Sequence, residues 1–359
     1  MNKIMMICII LFSAILPGCI EDTKDENIEI TIVTYDVSGL SDSMLSDFQN
    51  NTGYRVNLVK LDDAGSILDH ILQSKGSQTA DLALGLDNTY LQIALDSGVL
   101  IDHAAKLYNI EQSSLEFYNG SKAVPFDKGW ICLNYDAEFV DGENLTIPTS
   151  LWNLTGDDWK GKVAIPSPMT SSPGRAFMVA TTDYFDNDED NTTDWTDWWS
   201  AMNDNDIIIT SGWSEAYETH YTGGYGEWTD GYIGDANIAL SYCHSPGVEA
   251  HYGEGWTKSA ALDIDRSSFL QIEYISVLEG ANVEAASAFI EYLVSGEINQ
   301  NMPTENFMYS VLENNDLPIE NEYRANSLIP QVCAEVSSQN IAANMEDWLT
   351  MWNAALSQG

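Results

Sequence analysis

Polar and aromatic side chains follow three predicted strands at the point where each strand ends. Tyr35 comes after the first strand, Asp63 after the second and Asp87 after the third. The carboxyl ends of parallel strands meet at one edge of a sheet, and ligands bind at that edge, so we expect these side chains to lie close together. The sequence therefore predicts a small-molecule site there.

An acid-rich segment from Asp186 to Asp197 has the ligand spacing of a calcium-binding loop. Its sixth position is Asn191 rather than glycine, and its twelfth is an aspartate rather than a bidentate glutamate. These departures favour a solvated acidic loop, and we predict no metal site. Calcium binding by this loop stays an open alternative.

The chain carries no set of residues that would fill the nucleophile, base and oxyanion roles of an enzyme. The segment 212–216 lacks the second glycine of a nucleophile elbow, and the five histidines do not have the spacing of zinc ligands. Cys243 and His244 are neighbours in an apolar, strand-like segment, where adjacent side chains point to opposite faces. We therefore predict a binding protein with no catalytic residue and no cofactor.

Strand and helix patterns alternate along the chain, first after residue 28 and again after residue 162. Alternation of this kind favours parallel sheets with helices on their faces. The 341 residues that would follow a cleaved 18-residue leader exceed what one hydrophobic core usually serves. The sequence therefore predicts an α/β protein with two lobes.

Two further features of this pattern matter for the lobes. Extended segments at 123–126 and 130–135 flank Asp127-Lys128-Gly129, which we interpret as a crossing between the lobes. The last part of the chain, 325–356, is predicted to be largely helical and to pack against them.

The N-terminus has the order of a secretory signal that ends in a lipobox. Lys3 precedes an apolar run from Ile4 to Leu16, and a small residue then precedes Cys19. We predict a signal peptide over 1–18, a lipidated Cys19 and a charged tether over 19–27, which would anchor the protein to the outer face of the cell membrane. An ordinary signal peptide with an incidental cysteine is the alternative.

The chain is strongly acidic, with 55 Asp and Glu against 14 Lys and Arg and a net charge of −41. A field of this sign repels nucleic acid, which excludes nucleic-acid binding. A saline habitat would account for most of these dispersed carboxylates, and attraction of cationic ligands is the alternative.

Cys132, Cys243 and Cys333 have no metal-ligand spacing, and the sequence leaves open whether any pair of them forms a disulfide.

Several segments, in order, resemble the periplasmic thiamine-binding proteins, within the larger iron- and polyamine-type group of two-lobed substrate-binding proteins. The segments are Val33-Thr34-Tyr35-Asp36, 80–88, 124–129, 159–166, 170–174, 212–217, Ser241-Tyr242 with Ser245-Pro246, and 303–309. The resemblance implies a type II periplasmic-binding-protein fold, with 28–127 and 262–300 in the first lobe and 128–261 and 301–359 in the second. It also implies a monomeric partner of an ABC permease and its ATPase.

The family's pocket positions can be carried over to residues of this chain. The resemblance implies a ligand held between the lobes, and five residues match positions that line the family's pocket: Tyr35, Asp63, Trp213, Tyr242 and Phe307. We add five candidate ligand-binding residues from strand ends and the quoted segments: Asp87, Ser171, Ser172, Tyr217 and Ser245. The chain departs from the family pattern in three places, because Asp42 replaces a tryptophan, Val248 a tyrosine and Phe307 another tryptophan.

The implied ligand, thiamine, is an aromatic cation and calls for aromatic faces and a carboxylate. A cation over an aromatic face gains on the order of 0.5–2 kcal/mol. Asp63 or Asp87 would supply the countercharge, and the helix start at 170–174 would hold a hydroxyl or a phosphate, or would be a plain helix cap. A polyamine is the alternative ligand of the same fold.

Overall fold

The computed structural model describes residues 28–143, 145–187 and 193–357. The predicted signal peptide, Cys19 and the tether lie outside the described residues, as does the middle of the acidic loop. No helix in the described ranges is both long and apolar enough to cross a membrane. Within the same ranges, no group of three or more His, Cys, Asp or Glu side chains is placed to hold a metal ion.

The described chain alternates between strands and helices. The strands are β1 (Glu29–Tyr35), β2 (Arg55–Leu61), β3 (Leu82–Asp87), β4 (Leu100–Ile101), β5 (Val124–Asp136), β6 (Val163–Pro166), β7 (Ile208–Thr210), β8 (Ile238–Tyr242), β9 (Ser259–Ala261), β10 (Phe269–Leu278) and β11 (Tyr309–Ser310). The helices are α1 (Asp42–Thr52), α2 (Ala64–Gln73), α3 (Leu91–Ser97), α4 (Ser172–Asn187), α5 (Trp195–Asp204), α6 (Ser245–Tyr252), α7 (Val283–Leu293), α8 (Gly296–Asn299), α9 (Met302–Glu305) and α10 (Ser338–Leu356). A π-helical turn spans Glu215–His220.

The strands form one mixed sheet in the order β2-β1-β3-β10-β5-β8-β6-β7, with β4 beside β10 and with β9 and β11 beside β5. The predicted parallel pairs are present at both ends, where β1 pairs with β2 and β3, and β6 pairs with β7 and β8. In the middle, β10 and β5 run antiparallel to their neighbours. We call the half built on β1, β2, β3 and β10 the first lobe and the half built on β6, β7 and β8 the second lobe.

Strand β5 connects the two lobes. The two predicted extended segments are both present but belong to one continuous strand, Val124–Asp136, with no break at Asp127-Lys128-Gly129. Asp127 and Gly129 lie opposite Glu273 and Gln271 of β10, and the later part of β5 pairs with β8. Pairing with neighbouring strands overrides the turn-forming tendency of the Asp-Lys-Gly sequence.

Each lobe has its own hydrophobic cores. In the first lobe, buried side chains such as Ile32 and Phe289 fill one face of the sheet, and Ile67 and Leu86 fill the other. A larger cluster in the second lobe contains Trp198, which packs with aromatic side chains of α4 and α5. Two separate sets of cores let each lobe hold its half of a cleft in place.

The C-terminal segment is helical only over Ser338–Leu356, so the prediction of helix from 325 onward is wrong for residues 327–337. The backbone there bonds to distant residues instead, for example from Leu328 N to the Cys243 carbonyl (2.9 Å) and from Ala334 N to the Ser268 carbonyl (2.8 Å). Pro330 also interrupts a helix in this segment.

A disulfide joins Cys132 of β5 to Cys243, which directly follows β8, and Cys333 remains free. Both bonded cysteines are buried. The pairing that the sequence left open is therefore Cys132 with Cys243. The bond fixes the crossing strand to the segment that carries Tyr242.

Candidate functional site

A cleft between the lobes encloses about 1250 Å³ of empty space, including the part open to solvent. Both lobes contribute to its lining. The first lobe contributes residues at the end of β1, at the junction of β2 and α2, and in β10. The second lobe contributes residues at the start of α4, before and within the π-helical turn, and at the start of α6. Residues 306–308, which follow α9, complete the lining.

Most of the predicted ligand-binding residues line this cleft: Tyr35, Asp63, Ser172, Trp213, Tyr217, Tyr242, Ser245 and Phe307. Asp87 and Ser171 are fully buried and are not among the lining residues. Of the positions where the family pattern changes, Val248 lines the cleft, whereas Asp42 is the first residue of α1 and does not.

Asp87 binds its own chain rather than facing the cleft. Its carboxylate accepts hydrogen bonds from the Thr89 hydroxyl (2.7 Å) and from the backbone N–H groups of Thr89 (3.0 Å) and Tyr90 (3.1 Å). Burial raises the pKa of Asp87 to about 7, although these bonds and the nearby Arg175 work in the opposite direction. This carboxylate orders the turn between β3 and α3.

The second lobe presents a group of aromatic rings, Trp213, Tyr217 and Tyr225, which we call the aromatic wall. Trp213 stacks on Tyr217 with ring centres 5.1 Å apart and planes 14° apart. The Trp213 indole N–H donates to the Ser241 hydroxyl oxygen (2.8 Å), and that hydroxyl lies 2.8 Å from the hydroxyl of Ser245. Stacking and this hydrogen bond fix the ring before any ligand arrives.

A polar group on the first lobe, the crossing strand and the segment after α9 contains two buried carboxyl groups, and we call it the acidic floor: Tyr35, Asp127, Glu273 and Asn306. The Tyr35 hydroxyl donates to Glu273 Oε2 (2.9 Å) and accepts from Asn306 Nδ2 (3.1 Å), and the Asn306 amide also donates to Asp127. Asp127 and Glu273 lie opposite each other on β5 and β10. Burial raises the pKa of both carboxyl groups well above the ordinary value, and repulsion between them raises that of Glu273 further.

The position of Tyr35 depends on Gly85 of β3. A Cβ atom at Gly85 would lie 2.4 Å from Tyr35 Cδ1, so a larger residue would displace the ring. Gly85 also has a φ of +108°, which residues with a side chain rarely adopt. Both constraints explain why glycine interrupts this otherwise apolar strand.

Glu249 of α6 adds a carboxylate beside the aromatic wall. It accepts hydrogen bonds from the Tyr217 hydroxyl (3.1 Å) and the Tyr225 backbone N–H (3.2 Å). Burial raises the pKa of Glu249 to about 7. The wall is therefore linked to a titratable group through one of its own hydroxyls.

Asp63 joins the two lobes across the cleft. It caps α2, because its Oδ1 accepts the Ala64 N–H (2.7 Å), and the Ser172 N–H at the start of α4 lies 3.5 Å from the same oxygen. Close by, the Gly65 N–H donates to the Thr170 carbonyl (3.1 Å). Burial raises the pKa of Asp63 to about 6, although hydrogen bonds from the Ala64 and Ser172 N–H groups, from Ser171 and from Trp213 lower it.

The cleft is anionic and aromatic. None of its lining residues is Lys or Arg, whereas six are carboxylates: Asp36, Asp62, Asp63, Glu215, Glu249 and Glu273. Desolvated carboxylates without basic partners favour a bound cation, and aromatic faces strengthen that preference when the cation is organic. The arrangement can therefore bind a flat or flexible cation.

Sequence reasoning missed Glu273, Glu249, Asp127 and Asn306. Glu273 could have been found, because it is the one charged residue in the largely apolar segment 269–278, and charged residues are rarely buried without a partner. Asn306 lies inside a segment that carried the family resemblance. Nothing in the local sequence of Glu249 or Asp127 indicates that it faces or supports the cleft.

Solved structures with the same architecture define the class of protein. The chain superimposes on a periplasmic thiamin binding protein with a TM-score of 0.77 at 25% identity, covering 92% of this chain and 96% of that one. It matches the ferric binding protein from Campylobacter jejuni with a TM-score of 0.68 at 14% identity, covering 91% and 99%. The fold is the two-lobed type II periplasmic-binding-protein fold, as predicted.

Sequence comparisons agree with the structural ones. The chain is 26% identical over 336 residues to the thiamine-binding periplasmic protein of Escherichia coli (strain K12), covering 92% of this chain and 94% of the relative. The family described as bacterial extracellular solute-binding protein matches residues 43–310, and this chain belongs to that family. The resemblance to thiamine-binding proteins is thus confirmed, and the family is one of extracellular solute-binding proteins.

Proposed function

We propose that this chain is the substrate-binding subunit of an ABC importer and that it captures thiamine in the cleft between its lobes. The observation that carries the proposal is the combination of the aromatic wall with the desolvated carboxylates of the cleft. In this reading the thiazolium cation lies against the wall and is neutralised by the acidic floor. The relatives named as thiamine-binding proteins cover nearly the whole chain, which supports the same ligand.

The predicted membrane anchor, monomeric state and permease partner belong to the same proposal. Cleavage after residue 18 and lipidation of Cys19 would hold the protein at the outer face of the membrane, where it would act as a monomer and deliver its ligand to a permease and its ATPase.

A carboxylate-lined cleft also suits a polyamine, which is the second candidate ligand. Six acidic residues spread over both lobes could bind several ammonium groups.

Isothermal titration calorimetry with thiamine and with spermidine tests the ligand. We expect thiamine to bind with one site per chain and spermidine to bind weakly or not at all. Thermal unfolding gives a second readout, because a ligand at 100 times its dissociation constant adds about 2.7 kcal/mol of stability to the folded state. Saturable binding of spermidine with no binding of thiamine would replace the first candidate by the second.

A further inference from the structure

Phe307, which lines the cleft, has a backbone conformation that must be held from outside the residue. Its φ is +56°, a value that residues with a bulky side chain rarely adopt. Its ring is 38% exposed and meets the Tyr252 ring edge-on, with 5.8 Å between the ring centres. Because a left-handed conformation of such a residue costs free energy, it persists only where neighbouring groups fix it.

His244, directly before α6, bonds to that backbone from the second lobe. Its Nε2 lies 2.6 Å from the Phe307 carbonyl oxygen, and the residue is fully buried. Burial lowers the pKa of His244 to about 4, so the ring is neutral at neutral pH. A carbonyl oxygen can only accept, so Nε2 carries the one ring proton and donates it. In agreement with this tautomer, Nδ1 has no hydrogen-bond partner in the described part of the chain.

The His244 ring is itself held by close packing. It packs against Tyr242, with 5.6 Å between ring centres, and against Tyr309, with 4.8 Å. Gly129 of β5 leaves room for the ring, because a Cβ atom there would lie 3.0 Å from His244 Cε1 and 2.9 Å from Tyr242 Cδ1. Tyr242 and Phe307 line the cleft, whereas His244 does not. His244 therefore lies behind two residues that face the ligand.

We infer that His244 is a positioning residue of the site: its hydrogen bond to the Phe307 carbonyl holds the Phe307 ring where the bound ligand meets it. The inference rests on the proposed function, since it concerns a ligand in the same cleft. The neighbouring Asn306 is fixed from the first lobe, where its Oδ1 accepts the Gly39 N–H (2.6 Å). With Asn306 held, loss of the His244 bond would let the Phe307 backbone leave its left-handed conformation, and the ring would move with it.

Calorimetry with thiamine on the full-length protein in detergent tests the inference. His244→Gln keeps an N–H donor at the place of Nε2 and should bind thiamine within about threefold of wild type. His244→Met fills similar space without a donor and leaves the Phe307 carbonyl unpaired, so it should bind about tenfold more weakly or worse. His103→Met is the control, because it removes a half-buried histidine that does not line the cleft, and it should bind as wild type does.

A double-mutant cycle with Phe307→Ala separates positioning from general support of the fold. If His244 acts through the Phe307 ring, His244→Met should change the affinity by less than about twofold once that ring is absent. Full additivity of the two losses would overturn the inference. If the unfolding temperature shows that His244→Met does not fold, the same cycle is run with His244→Asn, whose amide ends short of the Phe307 carbonyl.

The other results separate this inference from the proposed function. Equal affinities of the wild-type, Gln and Met proteins would overturn the role of His244 while leaving thiamine as the ligand. A Gln variant as weak as the Met variant would overturn the hydrogen bond as the cause. Nitrogen NMR of histidine-labelled protein should show His244 protonated on Nε2 alone, and protonation on Nδ1 alone would overturn the bond. Failure of the wild-type protein to bind thiamine would overturn the proposed function, and the inference with it.

Discussion

The aromatic wall and the acidic floor face the same cleft but are built in different ways. The wall lies on the π-helical turn and its flanks in the second lobe, and ring stacking holds it in place. The floor lies mainly on the first lobe and the crossing strand, where Asp127 and Glu273 are neighbours across the sheet. The wall is uncharged, whereas the floor holds carboxyl groups whose pKa values are raised by burial. The difference predicts that any pH dependence of binding arises from carboxyl groups of the cleft and not from the rings of the wall.

Removal of the wall should have the largest effect. Trp213→Ala deletes the outer ring of the stack, and we expect a loss of about 2–4 kcal/mol in the free energy of thiamine binding, as for a central aromatic residue of an interface. Calorimetry at neutral pH measures the change. Trp256→Ala is the control, because Trp256 is 56% exposed and does not line the cleft. Equal losses in the two variants would show that the stack is not the binding surface.

Neutralising the floor should have the next largest effect. Glu273→Gln keeps the shape of the side chain but removes its charge, and we expect a loss of about 1.5–3 kcal/mol in binding free energy, the range for a hydrogen bond to a charged group. Asp87→Asn makes the same chemical change at a buried carboxylate that does not line the cleft, so its loss should be much smaller. If Asp87→Asn weakens binding as much as Glu273→Gln, Glu273 is not the carboxylate that specifically neutralises the ligand.

The smallest effect expected is a pH dependence, in which thiamine affinity rises with pH while the stability of the ligand-free protein falls. Burial raises the pKa of Asp63 to about 6 and that of Glu249 to about 7, so both carboxyl groups lose a proton between pH 5 and pH 8. A cation binds the charged forms better, and thiamine affinity should rise by about tenfold over this range, since each unit of coupled pKa shift corresponds to a factor of ten.

Folding of the ligand-free protein should respond in the opposite direction. Because the folded state holds these protons more tightly than the unfolded chain, the stability that they contribute is complete at low pH and is lost as the pH rises through 6 and 7. Thermal unfolding without ligand should therefore occur at a lower temperature at pH 8 than at pH 5. A ligand-free protein that becomes more stable over this range would contradict the raised pKa values.

The sequence predicted the fold more completely than it predicted the site. Alternating strand and helix patterns indicated two α/β lobes, and motif positions identified Tyr35, Trp213 and Tyr242 as cleft residues. The continuity of β5 could not be predicted, because it depends on strands that are distant in sequence. The same is true of Asp127, which acquires its setting from Asn306 and from its neighbour on β10.

The placement of Asp87 shows the limit of reasoning from strand ends. Its position after β3 predicted a ligand contact, but the side chain turns back to cap the following turn. Aspartate after a strand is equally suited to both tasks, and local sequence does not distinguish them. Asp63, which follows β2, faces the cleft because its capping role places it between α2 and α4.

The disulfide between Cys132 and Cys243 has a consequence for how the protein is made. The two cysteines are 111 residues apart, and most of the second lobe lies between them. If the chain is exported unfolded, as its N-terminus predicts, the first thiol emerges into the oxidising compartment long before its partner. The bond can then close only after residue 243 has crossed the membrane, so oxidation of this pair would report that the chain has been translocated at least as far as residue 243.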